Sequence, residues 1–162
     1  MLRDRDTHIK FSLVVASLIA LGVIAYFSLG FLQPRETSVN SYQILLNRGT
    51  DAIDIGQYDE ALNYYNQALV IAREVGDRAG EGVSRACIGF VYEAKGQHDQ
   101  ALEYFNQALV IAREVGDRPG EGYALINIGK TYQAKRQHDQ ALEYFNQSLV
   151  IYREIGDRTK EG

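Results

Sequence analysis

The chain has 162 residues, of which 46% are hydrophobic and 23% charged, a balance that ordinarily builds one soluble globular domain. Its net charge is −4, and beyond Lys10 fourteen basic residues stand against nineteen acidic ones without a basic cluster; nucleic-acid phosphates need such a cluster, so a nucleic-acid partner is excluded. A single cysteine, Cys87, excludes an internal disulfide and reads as a small buried hydrophobe.

The N-terminal segment departs from the globular pattern. After the tail MLRDRDTHIK (1–10), residues 11–32 read FSLVVASLIALGVIAYFSLGFL, twenty-two residues without a charge between Lys10 and Arg35. As a helix rising about 1.5 Å per residue this run reaches roughly 33 Å, enough to cross a hydrocarbon core of about 30 Å. A buried core helix of that length would carry a polar stripe. A cleaved secretory signal is the competing reading, since the basic tail and Ser28-Leu29-Gly30 supply its flanks, but such signals have an apolar stretch of about 7 to 15 residues. The expectation is an uncleaved transmembrane helix at 11–32, followed by a linker at 33–40. Arg3, Arg5 and Lys10 precede the span and only Arg35 and Arg48 follow it closely, so the positive-inside rule places the remainder outside the cytoplasm, with a cytoplasm-facing remainder as the alternative.

Beyond residue 40 the chain repeats itself. ALVIAREVGDR at 68–78 returns at 108–118, and SLVIYREIGDR fills 148–158, a fixed spacing of forty residues. Between Ala101 and Val115 the apolar residues fall on one broad helix face, and Gly116 suits the left-handed position past a helix end, with Asp117 able to cap the next helix. That next helix runs through EGYALINIGKTYQAK, where Ala124, Leu125, Ile128 and Tyr132 make a second apolar face and Pro119 occupies the first turn, where a missing amide is harmless. Two antiparallel helices per forty residues form a hairpin that hides its faces only against the next hairpin. Three units follow, at about 41–80, 81–120 and 121–162.

Within each unit a glycine, an aromatic three residues on, and then Ala, aromatic, Ala down the second helix resemble the tetratricopeptide signature. The residues are Gly89, Tyr92, Ala101, Phe105 and Ala108 in unit two, and Gly129, Tyr132, Ala141, Phe145 and Ser148 in unit three. Unit one has Gly49, Ala61, Tyr65 and Ala68, with Ala52 where the first-helix aromatic is expected. The forty-residue form, with its ALxNxG helix and GDRxGEG linker, is similar to the arrays of G-protein-signalling modulators, kinesin light chains and bacterial scaffold proteins. The resemblance implies an all-α chain: an α-solenoid of antiparallel helix hairpins, the tetratricopeptide superhelix, here behind an N-terminal transmembrane helix.

It also implies a concave groove, lined by the first helix of each hairpin, that takes a peptide or helix of a protein partner. The family's groove positions fall on Gln43, Leu46, Asn47, Thr50 and Ile53 in unit one and on Val83, Ala86, Cys87, Phe90 and Glu93 in unit two. In unit three they fall on Tyr123, Ile126, Asn127, Lys130 and Gln133. Relatives that clamp a terminal carboxylate use several Lys, Asn and Arg side chains; only Asn47, Asn127 and Lys130 are of suitable type here, so that clamp is not expected. Asn47 and Asn127 either bond a bound peptide's backbone or bond the neighbouring helix.

No enzyme, cofactor or metal site is expected. GDRAGEG and GDRPGEG lack the spacing that cradles phosphate, and His98 and His138 stand a full repeat apart and read as packing residues. Glu81, Glu121 and Glu161 recur at one linker position as solvated first-turn charges that favour the helix dipole. The paired aromatics Tyr64-Tyr65, Tyr104-Phe105 and Tyr144-Phe145 read as inter-helix packing. Arg136 replaces the glycine of Gly56 and Gly96 and is expected to be strained if its turn is left-handed. The last helix, roughly 138–155, leaves Leu142, Phe145, Leu149 and Tyr152 for another hairpin to cover, so self-association through this helix is expected, or a longer chain. The functional expectation is a membrane-anchored scaffold or adaptor that binds a partner protein; the alternative is a self-assembling structural array, or the front part of a longer array with a missing effector domain.

Overall fold

Residues 33–161 are described by a computed structural model, with side chains from Ser38 to Gly156. They form six helices: α1 (Gln33–Asp54), α2 (Tyr58–Glu74), α3 (Arg78–Ala94), α4 (His98–Val115), α5 (Arg118–Ala134) and α6 (His138–Glu161). The tail at 1–10 and the expected membrane span at 11–32 lie outside the described residues. Among those residues no helix is long and apolar enough to cross a membrane. The segment 33–40, expected as a linker, is helical instead. Pro34 stands at the second helical position, where its missing amide costs no bond, and no glycine interrupts the run.

The compact unit Asn40–Gly162 is three helical hairpins in sequence, α1/α2, α3/α4 and α5/α6. Local chemistry sets the helix ends. Asp77 and Asp117 each accept a hydrogen bond from the amide two residues into the following helix, Gly80 N and Gly120 N, both at 2.9 Å. Gly56, Gly76, Gly96 and Gly116 close the other ends with φ between 72 and 76°, the left-handed region that suits a residue without Cβ. Arg136 occupies the same region with φ 61°, as its alignment with Gly56 and Gly96 anticipates. The equivalent of Gly76 and Gly116 in unit three behaves differently: α6 runs through Gly156 to Glu161, beyond the end expected near 155. Thr159 and Lys160 stand where the earlier linkers have Ala-Gly and Pro-Gly, and Lys propagates a helix better than Gly.

Inside each hairpin a glycine of the first helix lets an aromatic ring of the second lie against the backbone. A Cβ at Gly49, Gly89 or Gly129 would stand 2.4, 2.9 or 2.7 Å from the rings of Tyr65, Phe105 and Phe145 respectively. The first-helix aromatics stack on the second: Tyr92 on Tyr104 and Tyr132 on Tyr144, each with ring centroids 5.4 Å apart. Unit one has Ala52 in that place, and there Tyr64 lies beneath the Arg48 guanidinium at 6.0 Å.

Two apolar clusters hold the hairpins together. One joins Ala52, Ala61, Tyr65, Leu69, Ile88 and Val91, and the other joins Leu102, Phe105, Leu109, Leu125, Ile128 and Ile151. Each crosses a boundary between hairpins, and fully burying a side chain of this size stabilises by about 1.5–3 kcal/mol. Ion pairs repeat along the same boundaries. Lys95 reaches back to Asp59 at 2.6 Å and Lys135 to Asp99, while Arg73 faces Glu81 at 3.6 Å and Arg113 faces Glu121 at 2.8 Å.

Glu121 is therefore not the solvated charge expected of its linker position. Its side chain is 9% exposed and takes hydrogen bonds from Arg113 and, at 2.6 Å, from Arg118. Burial would raise its carboxyl pKa, yet the two guanidiniums hold it below the ordinary carboxylate value. The histidines diverge as well. His98 is half-buried with Nδ1 3.1 Å from Glu93 Oε2, whereas His138 is exposed and Gln133 stands in the place of that glutamate.

Candidate functional site

A groove of about 470 Å³ opens across the first two hairpins and the start of the third. α1 contributes Thr50, Ile53 and Asp54, and α3 contributes Ala79, Gly82, Val83, Ala86, Cys87 and Phe90. α4 forms the floor with Ala108, Ile111, Ala112 and Val115; α5 closes one side with Gly120, Tyr123 and Ala124, and its cap residue Asp117 adds a carboxylate. Tyr65 of α2 completes the lining.

The shape follows from side-chain size. Gly82 lets α3 come close to α4, where a Cβ would meet Ile111 Cγ2 at 3.0 Å, and the alanines at 86, 108, 112 and 124 leave space that larger residues would fill. Val83 and Phe90 of α3 and Tyr123 of α5 stand at the rim, 45%, 42% and 46% exposed, and give the groove a water-facing apolar edge. The polar side chains of the lining are Thr50, the Tyr65 and Tyr123 hydroxyls, Cys87 and the carboxylates of Asp54 and Asp117. Thr50 Oγ1 donates to Leu46 O at 3.1 Å and lies 3.2 Å from the Tyr65 hydroxyl, from which it can accept, so both hydroxyls are engaged. Burial pushes the Cys87 thiol up to about 11, which keeps it a neutral, weakly nucleophilic wall residue. The site thus offers an apolar trough with two carboxylates and no cation on its lining.

Of the residues proposed from sequence, the structure brings Thr50, Ile53, Val83, Ala86, Cys87, Phe90 and Tyr123 together on this groove. The others fall elsewhere. Leu46 packs into the first core cluster, and Gln43 and Asn47 are exposed and bonded to each other at 3.2 Å. Glu93 is taken up by His98, and Lys130 and Gln133 are exposed on α5 away from the lining. Ile126 is half-buried off the groove. Asn127 is buried, and its Nδ2 donates to Tyr123 O on its own helix at 2.9 Å.

The α4 floor is not legible as groove from the family resemblance, which assigns groove positions to first helices only. A signal exists in hindsight: α2 and α4 carry alanine at 68 and 72 and at 108 and 112, a spacing of small residues at i and i+4 that lets a neighbouring helix or ligand approach.

Comparison with known proteins places this geometry. Tetratricopeptide repeat profiles match residues 52–79 and 83–154. The crystal structure of the tetratricopeptide domain of Arabidopsis FLU aligns with a TM-score of 0.66 at 16% identity, over 72% of this chain and 98% of that one, a likeness of fold. The crystal structure of MamA aligns with a TM-score of 0.43 at 20% identity, over 83% of this chain and 89% of that one. No curated protein matches the chain. With hairpins of two antiparallel helices, a glycine seating each second-helix aromatic, and the profile matches across all three units, the chain belongs to the tetratricopeptide repeat family.

Proposed function

We propose that this chain is a membrane-anchored interaction scaffold that holds an apolar segment of a partner protein in the groove between α1, α3 and α5. Arrays of this fold serve as protein-binding scaffolds, and the observation that carries the reading here is the rim of Val83, Phe90 and Tyr123, apolar and open to water above an alanine floor. The lining has two carboxylates and no cation, so it suits an apolar segment with a basic neighbour better than an acidic tail, which would meet Asp54 and Asp117.

The anchor rests on sequence, on the uncharged run at 11–32, and the basic residues before it favour an extracytoplasmic array. A photo-crosslinking residue placed at Phe90 in the full-length protein tests the groove in cells. The expected result is one partner adduct, lost when Val83→Glu is added and absent from a probe at Val110, which is exposed on α4 off the groove. Equal adducts at both positions would remove the groove from the function. Release of the full chain from membranes by alkaline washing would remove the anchor, and a cytoplasm-only reporter that works after Gly162 would reverse the orientation.

A further inference from the structure

The groove runs obliquely, along α3 from the end of α1 to the start of α5. α1 lines it only near its C-terminus, with Thr50, Ile53 and Asp54, and α5 only with its first turns, while α3 lines it from Ala79 to Phe90. At about 1.5 Å per residue that stretch of α3 is roughly 16 Å long. A carboxylate stands at each end. Asp54 is exposed on the last turn of α1 and enters no ion pair among the described residues. The other units have Ala94 and Ala134 in its place, so hairpin packing does not require the charge. Asp117 accepts from Gly120 N through Oδ1 and keeps Oδ2 for a further donor. The far end of α5 is basic instead, where Lys130 stands exposed at the position that Phe90 holds on α3. An occupant with a cation at each end is therefore drawn along the line from Asp54 to Asp117 and away from Lys130.

Hydrogen-bond supply decides the backbone form of that occupant. An extended peptide presents an amide and a carbonyl at every residue, and each needs a partner once buried. The groove has few to give. Thr50 and Tyr65 are engaged with each other and with Leu46 O, and Asn127 turns its amide to Tyr123 O on its own helix. A helix satisfies its own backbone and asks only for an apolar surface. We propose that the groove takes a helix of the partner about three turns long, apolar along one face, with a Lys or Arg near each end and these about eleven residues apart. One cation lies beside Asp54 and the other beside Asp117, and between them the apolar face lies against Val83, Phe90 and Tyr123. This rests on the scaffold reading of the groove and adds to it the form, length and charge pattern of the segment bound.

The test is fluorescence anisotropy of the full chain in zwitterionic detergent micelles, with a labelled alanine-leucine helix of about twelve residues that carries lysine at both ends. Binding should be lost with Val83→Glu, weaken about two- to fivefold with Asp54→Asn or Asp117→Asn, and weaken about tenfold with Asp54→Lys. Asn caps a helix as well as Asp does, and Lys suits a helix C-terminus, so these charge variants keep the fold. Glutamate in place of one of the two lysines should recover the affinity lost with Asp54→Lys, and the end at which it does so gives the direction of the bound helix. A central proline in the peptide should weaken binding by about tenfold or more. Equal affinity for lysine-ended and glutamate-ended peptides, for helical and proline-broken ones, or for wild type and Asp54→Lys would overturn the proposal, as would recovery at neither end. Uptake by the micelles alone would give equal affinity for wild type and Asp54→Lys. The photo-adduct at Phe90 separates the two readings: an adduct that persists while the peptide fails keeps the scaffold and removes the dibasic helix, and loss of both removes the groove.

Discussion

Arg136 is the one described non-glycine residue with positive φ, which makes Arg136→Gly a clean measure of backbone strain in this array. The turn has the same hydrogen bonds as its glycine counterpart: Arg136 N donates to Gln133 O at 2.9 Å and Gln137 N to Tyr132 O at 2.9 Å, against 2.9 and 2.8 Å for Gly96 and Gln97. The Arg136 side chain is exposed and enters no ion pair among the described residues, so its removal gives up little. A left-handed residue with a Cβ costs about 1–2 kcal/mol, and the greater freedom of glycine in the unfolded chain returns about 0.5–1 kcal/mol of that. The net expectation is a gain of about 0.5–1 kcal/mol. At roughly 3–5 °C per kcal/mol for an array of this size, Tm should rise by about 2–4 °C. Far-UV circular dichroism melts of the full chain would read the change. The reverse substitution, Gly96→Arg, should lower Tm by a similar amount, because Gly96 has φ 72° and open space around it. A Tm that falls or stays fixed for Arg136→Gly would refute the strain argument.

Three further outcomes follow from the same contacts. Gly89→Ala should destabilise by about 1–3 kcal/mol in chemical denaturation, since its Cβ would stand 2.9 Å from the buried Phe105 ring; a loss under 0.5 kcal/mol (about the error of such melts) would show that the ring moves freely. Arg85 bonds Gln107 through one terminal nitrogen and leaves its buried Nε without a partner, while Leu45 and Leu125 hold the matching place, so Arg85→Leu should stabilise by about 1 kcal/mol; a lower Tm would show that the guanidinium does more than fill space. Glu121→Gln should cost about 1–2 kcal/mol at neutral pH. Because the folded pKa of Glu121 is depressed, its stabilisation is present above the unfolded value near 4.5 and is lost as pH falls through the lower folded value, so the gap between wild type and variant should close in acid; a gap that stays constant would refute the linkage.

The sequence by itself determined the period, the hairpins, the capping aspartates and the left-handed turns. Those features are local: an apolar face repeats every 3.6 residues, an N-cap needs an oxygen three residues before an amide, and a left-handed turn favours glycine wherever the chain is going. Even the strain at Arg136 could be read by alignment with Gly56 and Gly96. The groove was legible only in part, because repetition gives the first-helix positions but not which of them a neighbour occupies. Asn127 turned back to Tyr123, Glu121 was bridged by two arginines, and the floor came from α4. The segment ALEYFNQ marks the limit: it occurs at 101–107 and again at 141–147, yet Leu102 is 9% exposed and Leu142 is 60% exposed. Identical letters form the same helix in both places, and only the presence of a following hairpin, α5 on α4 and none among the described residues on α6, decides whether that leucine faces core or water.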